Sequence, residues 1–416
     1  MIFTDTRVIP NSKNENNGVN WKLNLAVLWL AAIFCCSSYT MCIPFLPVFL
    51  LKEMGVPQEN VGVWTGIVFA GTFFWSAVMA PCWGALADKV GQKKMALRAG
   101  VGLAITYFLT AICTDVYQLF AVRTLTGVIA GFIPACMSLA SQTLPEHRMG
   151  WGMGLMQSAL FSGTIIGPLL GGYLSSWFGM RATFYLAGAS LATATCLIFV
   201  FVRDLPFTRG KHKLDLGVLK DLKAAFAEKE IFYVMGMIFA IQGVTMVIQP
   251  LVTMYVGELR GAVDDESIKI AGWIFSLAGL AGIISATFWG KTGQRLGYIK
   301  VCALVTFTAG FINLFQAFVQ NVWQFALIQF AYGLFLAGAI PNVNSYATTI
   351  TDKQMRGRAF GLMASANQFG GVAGPLLGSF LGTFMATRYV LVVTGCILII
   401  VSIYSYLTRG RTVHAQ

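Results

Sequence analysis

The chain has 416 residues, 56% of them hydrophobic and only 11% charged, with a mean hydropathy of +0.70 and a formal net charge of +12. Soluble proteins carry about 25% charged residues, so this composition excludes a soluble secreted enzyme, a nucleic-acid-binding domain and a disordered scaffold. The apolar residues fall in runs of about 20, the length a helix needs to cross a bilayer.

In chain order, residues 1–24 are polar and form a cytoplasmic N-terminal segment, without the apolar core of a cleavable signal. Six apolar stretches follow at 25–51, 61–83, 95–114, 117–141, 152–176 and 182–202, composing a first bundle over 25–202. A polar central loop at 203–230 carries seven basic and five acidic residues, with Leu216–Phe226 expected as a short surface helix. Six more stretches lie at 231–256, 269–289, 301–319, 322–348, 359–384 and 389–407, a second bundle over 231–407, before a tail at 408–416. Lipid offers the backbone no hydrogen bonds, so each stretch spans as a helix unless strands close a barrel. The alternating pattern of a barrel is absent. The expected fold is an all-α membrane protein of twelve transmembrane helices in two six-helix bundles.

Lys and Arg fix the orientation. The side holding the N-terminus and the central loop collects 23 of the 29, whereas the other side holds Lys52, Arg181, Arg260, Lys269 and Arg388. This split predicts that both termini are cytoplasmic and reads the basic charge as topology. The nine cysteines sit in or beside apolar runs, where a thiol acts as a small hydrophobe, and the three histidines are scattered. No nucleophile–base pair or metal-ligand spacing stands out, so neither an enzyme nor a metal site is expected.

The halves repeat one another. Gly84-Ala-Leu-Ala-Asp88-Lys89-Val-Gly91 returns 206 residues later as Gly290-Lys-Thr-Gly-Gln294-Arg-Leu-Gly297. At an offset of 207, Gly154, Gly163, Gly167, Pro168 and Gly171 map onto Gly361, Gly370, Gly374, Pro375 and Gly378, and Arg181 onto Arg388. Two pseudo-symmetric halves place a substrate site between them, near the bilayer midplane.

Three motifs carry chemistry. Between the second and third spans, Asp88, Lys89, Lys93 and Lys94 can pair across a seam that one conformation makes and another breaks, with Gly91 turning the chain. Arg123, inside the fourth span, costs about 2.5–3.5 kcal/mol at a helix centre and should face the bundle interior; its repeat mate is the neutral Gln329. In the fifth span Gly154, Gly163, Gly167, Gly171 and Gly172 clear one face for close packing, while Pro168 removes a backbone donor and bends the helix. Together these residues resemble, over the whole chain, the twelve-span drug:proton antiporters of the major facilitator superfamily. That resemblance implies multidrug efflux by alternating access. Asp88 would latch the outward-open state, Arg123 would act in proton coupling, and the fifth-span glycines would form the antiporter hinge.

Interior-facing candidates for the cavity are Tyr39, Met41, Gln157, Phe161, Gln242, Met246, Gln249, Asn342, Asn344 and Asn367. None of the 17 acidic residues lies in mid-span, so a proton would be carried by Asp88, by a carboxylate at a span edge (Glu53, Asp115 or Glu258) or by a route the sequence does not identify. The resemblance implies a monomer in a bacterial inner membrane. It would use a proton gradient with no cofactor, and its partners would be small amphipathic substrates, protons and lipid, with no nucleic acid. A dedicated exporter of one metabolite is the alternative.

Overall fold

The computed structural model describes residues 20–145, 148–203, 229–351 and 356–410, apart from the side chains of Asp88, residues 356–360 and Gly410. The expected surface helix at Leu216–Phe226 lies outside the described residues. Twelve long helices follow one another, and no strand occurs among the described residues. They are α1 (Trp21–Lys52), α2 (Gln58–Val90), α3 (Gln92–Ile112), α4 (Val116–Thr143), α5 (Met149–Phe178) and α6 (Met180–Phe201) in the first half. The second half holds α7 (Lys229–Arg260), α8 (Asp265–Leu296), α9 (Tyr298–Phe318), α10 (Val322–Ile350), α11 (Arg356–Phe384) and α12 (Thr387–Arg409).

Several helices outrun their apolar stretches, because polar side chains and water continue the backbone hydrogen bonding past the hydrocarbon. The clearest case corrects the reading of Gly84–Gly91 as a loop motif. α2 continues to Val90, and the chain reverses at a single residue, Gly91, whose φ of +100° favours glycine. Gly297 does the same between α8 and α9 at +98°. Three spans are broken. Pro44 and Pro47 interrupt α1, which passes through a 3-10 segment at Ile43–Phe45. α4 ends its first part at Ile129 and restarts at Phe132, and α10 breaks after Leu336 and restarts at Ala339.

Buried apolar residues define how the halves meet. At the end of the molecule away from the termini, one continuous cluster joins Phe45, Leu46 and Phe49 of α1 to Val244 and Val252 of α7 and Ile268 of α8. Toward the end carrying the termini the clusters separate: one is built around Phe132, Leu139 and Met156 of the first half, another around Ile238, Val305 and Val343 of the second. The halves are therefore sealed together at one end and parted at the other.

Candidate functional site

Glycine places the hinge. Gly163, Gly167 and Gly171 of α5 press against α1, where an added Cβ would collide with Cys36, Thr40 and the Met41 carbonyl. Thr40 Oγ1 donates to the Gly163 carbonyl at 2.9 Å across this seam. Gly370, Gly374 and Gly378 of α11 repeat the arrangement against α7, meeting the carbonyls of Phe239 and Gly243 and the side chain of Val247. The opposite face of α5 meets α8: Gly172 and Gly272 approach backbone to backbone, and Ser276 Oγ donates to the Ile165 carbonyl at 2.7 Å. α5 is thus clasped inside its own half and packs closely against the other.

Further polar contacts tie the halves together. Thr253 Oγ1 of α7 donates to the Pro44 carbonyl at 2.8 Å, and Lys52 pairs with Asp265 at 3.0 Å. On the α2–α11 seam, Ser379 Oγ donates to the Gly62 carbonyl at 2.5 Å and Gln368 Nε2 to Ser76 Oγ at 2.5 Å. Beyond Ser76, toward the end carrying the termini, the seam opens into a cavity of about 900 Å3, walled by α2, α3 and α4 on one side and by α7, α10 and α11 on the other.

Arg123 sits on α4, 2% exposed, with its guanidinium 5.2 Å from the Tyr107 ring and 5.3 Å from the Phe184 ring. Its Nε and Nη2 have no hydrogen-bond partner, and no ion pair to it occurs among the described residues. Ring faces are its main compensation, about 2 kcal/mol each when desolvated. Gln329, in the matching place on α10, is also buried but neutral and bonded: Gln316 Nε2 donates to its Oε1 at 2.7 Å, and Tyr255 donates to the Gln316 carbonyl at 2.9 Å.

The span-edge carboxylates have structural partners. Glu53 pairs with Arg181 at 3.1 Å, Asp115 caps α4 by accepting from the Tyr117 and Gln118 N–H groups at 2.8 and 2.9 Å, and Glu258 accepts from Thr387. Asp88 lies in the last turns of α2, but its side chain is outside the described set; Lys89 beside it is exposed.

Of the ten cavity candidates, Asn344 and Asn367 line the 900 Å3 cavity. Asn367 also donates to Gln242 at 3.3 Å on the α7–α11 seam. The other assignments to the cavity are corrected for three residues. Met41 is buried and brings its backbone carbonyl against Gly171, Met246 packs its Cβ against Gly374, and the Asn342 side chain packs against Gly293 while donating to the Gly338 carbonyl at 2.7 Å. Each stands at a close approach that a glycine of another helix permits. Tyr39 faces the interior of the first half within electrostatic reach of Arg123, Phe161 lies on the α5–α8 seam near Gly282, and Gln249 buries an unpartnered Oε1. Gln157 is exposed and does not line this cavity, and Gly154 is open, with nothing near its would-be Cβ.

Two cavity residues escaped the sequence reading. Arg98, counted there as a topology charge, lines the wall, its guanidinium 3.6 Å above the Trp83 ring. Trp83 Nε1 donates to the Val128 carbonyl at 2.7 Å, and Trp289, its repeat mate, does the same to Leu334 at 2.7 Å. The tryptophan pair was findable at the same 206-residue offset that relates Gly84 to Gly290.

Two glycine-clasped six-helix halves, sealed at one end and parted around a cavity at the other, define a secondary transporter of alternating-access type. The chain belongs to the Major Facilitator Superfamily, whose family model matches residues 28–262 and 234–416. It is 33% identical over 396 residues to "Multidrug resistance protein MdtG" of Salmonella paratyphi B and of Salmonella typhimurium, covering 94% of this chain and 97% of the relative. Solved structures share the fold: a point mutant of the nucleoside transporter NupG superposes at a TM-score of 0.76 and 15% identity, covering 93% of this chain and 99% of that one. The human organic anion transporter MFSD10 (TETRAN) superposes at 0.70 and 16% identity, with 92% and 99% covered.

Proposed function

We propose that this protein exports small amphipathic drugs from the cytoplasm in exchange for protons, working as a monomer in a bacterial inner membrane with both termini inside. The observation that carries the reading is the near-full-length similarity to the multidrug resistance relatives, joined to a glycine-clasped α5 and an interior Arg123. In this reading the parted end faces the cytoplasm, so a drug enters the 900 Å3 cavity from inside. The halves then rock along the α5–α8 and α2–α11 seams. The α2 turn bearing Asp88, Lys89 and Gly91 closes on α11 while the Thr253–Pro44 and Lys52–Asp265 contacts release the outer end.

Proton coupling rests on Arg123 and Asp88. Arg123 is a buried charge with no carboxylate partner among the described residues, so any acid or substrate anion that approaches it in one conformation changes the balance between conformations. Asp88 would release its proton to the cytoplasm as the latch forms. A proton moving down 100 mV yields about 2.3 kcal/mol, enough for roughly a fiftyfold gradient of a neutral substrate. The proton gradient supplies the energy, and no cofactor enters the cycle.

Inside-out vesicles energised to acidify their lumen test this directly with a pH-sensitive dye. Addition of a drug should dissipate the gradient in vesicles holding the protein and not in controls, and unrelated drugs should inhibit one another. Dissipation by one metabolite alone would instead make it a dedicated exporter. Silence across a broad panel, with folded protein present, would refute drug:proton exchange.

A further inference from the structure

The repeat that relates the halves also pairs their two lateral seams, α5–α8 and α2–α11, and at the sealed end these seams differ. The α5–α8 seam is closed there. Ile268 of α8 is 1% exposed, Ser175 of α5 is buried, and Gly172 and Gly272 meet backbone to backbone. Lys52 of α1 pairs with Asp265 of α8 at 3.0 Å, an ion pair that crosses from one half to the other.

On the α2–α11 seam the mates of these residues leave a hollow of about 260 Å3. At an offset of 206, Gly62 stands in the place of Ile268 and Gly66 in that of Gly272; at 207, Ser379 replaces Gly172 and Gly382 replaces Ser175. The contacts keep this register, since Gly272 meets the Pro168 carbonyl and Gly66 meets the Pro375 carbonyl. Gly62 and Gly382 line the hollow, and neither has any atom within 4 Å of where a Cβ would stand. Space that a buried isoleucine fills on one seam is therefore empty on the other.

The charges change with the packing. Lys52 maps at 206 onto Glu258, and Asp265 onto Glu59. Pro44 and Pro250 share that offset, as do Met41 against Gly171 and Val247 against Gly378, so α1 and α7 are in register here. The ion pair of one seam is thus replaced on the other by two carboxylates, one from each half, and both line the hollow. Glu258 accepts a hydrogen bond from Thr387, and neither carboxylate has an ion pair among the described residues. No Lys or Arg lines the hollow. Arg388 repeats Arg181, whose partner Glu53 maps onto Leu259, and it stands outside this lining. The walls are mainly apolar, among them Pro47, Val247, Leu251 and Met254. Beside such walls two like charges repel more strongly than in water, and a cation between them gains correspondingly more.

We propose that this hollow binds a small amphipathic ammonium compound, its apolar body against Pro47, Val247 and Met254 and its cationic head between Glu59 and Glu258. The ligand takes the part that Lys52 plays on the opposite seam. Because one carboxylate belongs to each half, the bound cation joins the halves and favours the conformation in which this end is sealed. It is an inhibitory site, separate from the 900 Å3 cavity at the parted end. A bare divalent ion suits it less well, since apolar walls cannot replace the water that such an ion keeps. The word inhibitory rests on the efflux reading; binding and sealing do not.

Two compounds of one shape test it, 4-butylbenzylamine and 4-butylbenzyl alcohol. Their binding to the full chain in phosphatidylglycerol nanodiscs is measured by titration calorimetry, with empty nanodiscs subtracted, and spin labels across the sealed end report its closure. The amine should bind wild-type protein at least tenfold more tightly than the alcohol and shift the labels toward the closed distance. Glu59→Gln and Glu258→Gln should each remove most of that preference and leave the alcohol unchanged. Gly62→Ile, which copies the other seam, should exclude both compounds. Glu258→Lys, which rebuilds the ion pair, should hold the end closed without ligand and bind no amine. Nanodiscs containing phosphatidylethanolamine distinguish the source of the ammonium: weaker amine binding there assigns the hollow to a lipid head group, unchanged binding to a soluble amine. Equal binding of amine and alcohol by wild type would overturn the proposal. So would an amine preference that survives both Gly62→Ile and the paired Glu59→Gln and Glu258→Gln changes, which places the cation elsewhere, or closure by magnesium chloride as complete as by the amine. The vesicle assay separates the two readings. Amine-driven closure without drug pumping leaves the site standing and removes efflux, whereas drug pumping with no closure by the amine does the reverse.

Discussion

The two halves share a scaffold and differ in what they bury. At the fourth span of each half a polar side chain enters the interior: Arg123, charged, between two aromatic rings with unanswered donors, and Gln329, neutral, accepting a hydrogen bond from Gln316. Around them the scaffold repeats closely. Asp115 and Asn321 cap the fourth and tenth helices at the same offset, Trp83 and Trp289 bind matching carbonyls, and the α1–α5 clasp is copied by α7–α11. A fold that tolerates a neutral amide at this site in one half has no structural need for a cation in the other. Subtracting what the halves share removes architecture and leaves chemistry visible: Arg123 and Arg98, both in the first half, both incompletely paired among the described residues.

Exchanging the two buried groups should have the largest effects, and opposite ones. Arg123→Gln should fold with a Tm no lower than wild type, because a charge with unanswered donors is removed, yet lose its proton-coupled transport. Gln329→Arg should lose folded yield, since it puts a charge into a network of amides at about 2.5–3.5 kcal/mol. Thermal unfolding in detergent reads both. Equal destabilisation by both changes would break the contrast.

The clasps should behave alike. Gly167→Leu and Gly374→Leu each drive a side chain into a facing helix, and overpacking costs about 1–3 kcal/mol or more, so both should unfold at lower temperature. Gly154→Ala, where nothing lies near the new Cβ, should stay within roughly 0.5 kcal/mol. These three variants separate architecture, common to both halves, from chemistry, private to one.

Smaller effects belong to the contacts between halves. Thr253→Val deletes the hydrogen bond to the Pro44 carbonyl, worth about 0.5–1.5 kcal/mol. Spin-label distances across the sealed end should shift toward the opened state by up to about tenfold in population. Lys52→Gln removes a half-exposed ion pair worth about 0.2–1 kcal/mol, and its effect should fade in high salt.

An effect of similar size belongs to a cap found on one side only. Asp264 caps α8 by accepting from the Ser267 N–H at 2.8 Å, whereas α2 starts after Pro57 with no side-chain cap. Hydrogen bonds from Ser267, with Arg260 nearby, hold the Asp264 carboxyl below its ordinary value of 3.8. Its contribution is therefore present at neutral pH and lost as pH falls through that lowered value. Asp264→Ala should cost about 1 kcal/mol at pH 7, with the difference from wild type shrinking in acid.

Much of this was legible in the residues. Twelve spans follow from apolar length, and the clasps from glycine and proline recurring at one offset. The unanswered Arg123 was legible only as an expectation of interior placement; its aromatic cage needed Tyr107 and Phe184 from other helices. The cavity was the least legible. Met41, Met246 and Asn342 looked like cavity residues because they are soft or polar inside spans. They stand instead at close approaches to glycines on neighbouring helices, a complementarity no single span reveals. Arg98 misled in the opposite direction. Its place near a basic turn gave it the appearance of a topology charge, and only the restart of α4 at Gly131 brings it to the wall.

Exchange in proteoliposomes, run first without and then with an imposed pH gradient, tests the claim that Arg123 couples protons to an otherwise shared scaffold. Wild-type protein should exchange a substrate drug across the membrane without a gradient and concentrate it when the gradient is imposed. Arg123→Gln should retain exchange and fail to concentrate. A variant that concentrates drug as wild type does, with the same pH dependence, would contradict the account, for the charge that distinguishes the halves would then have no part in coupling.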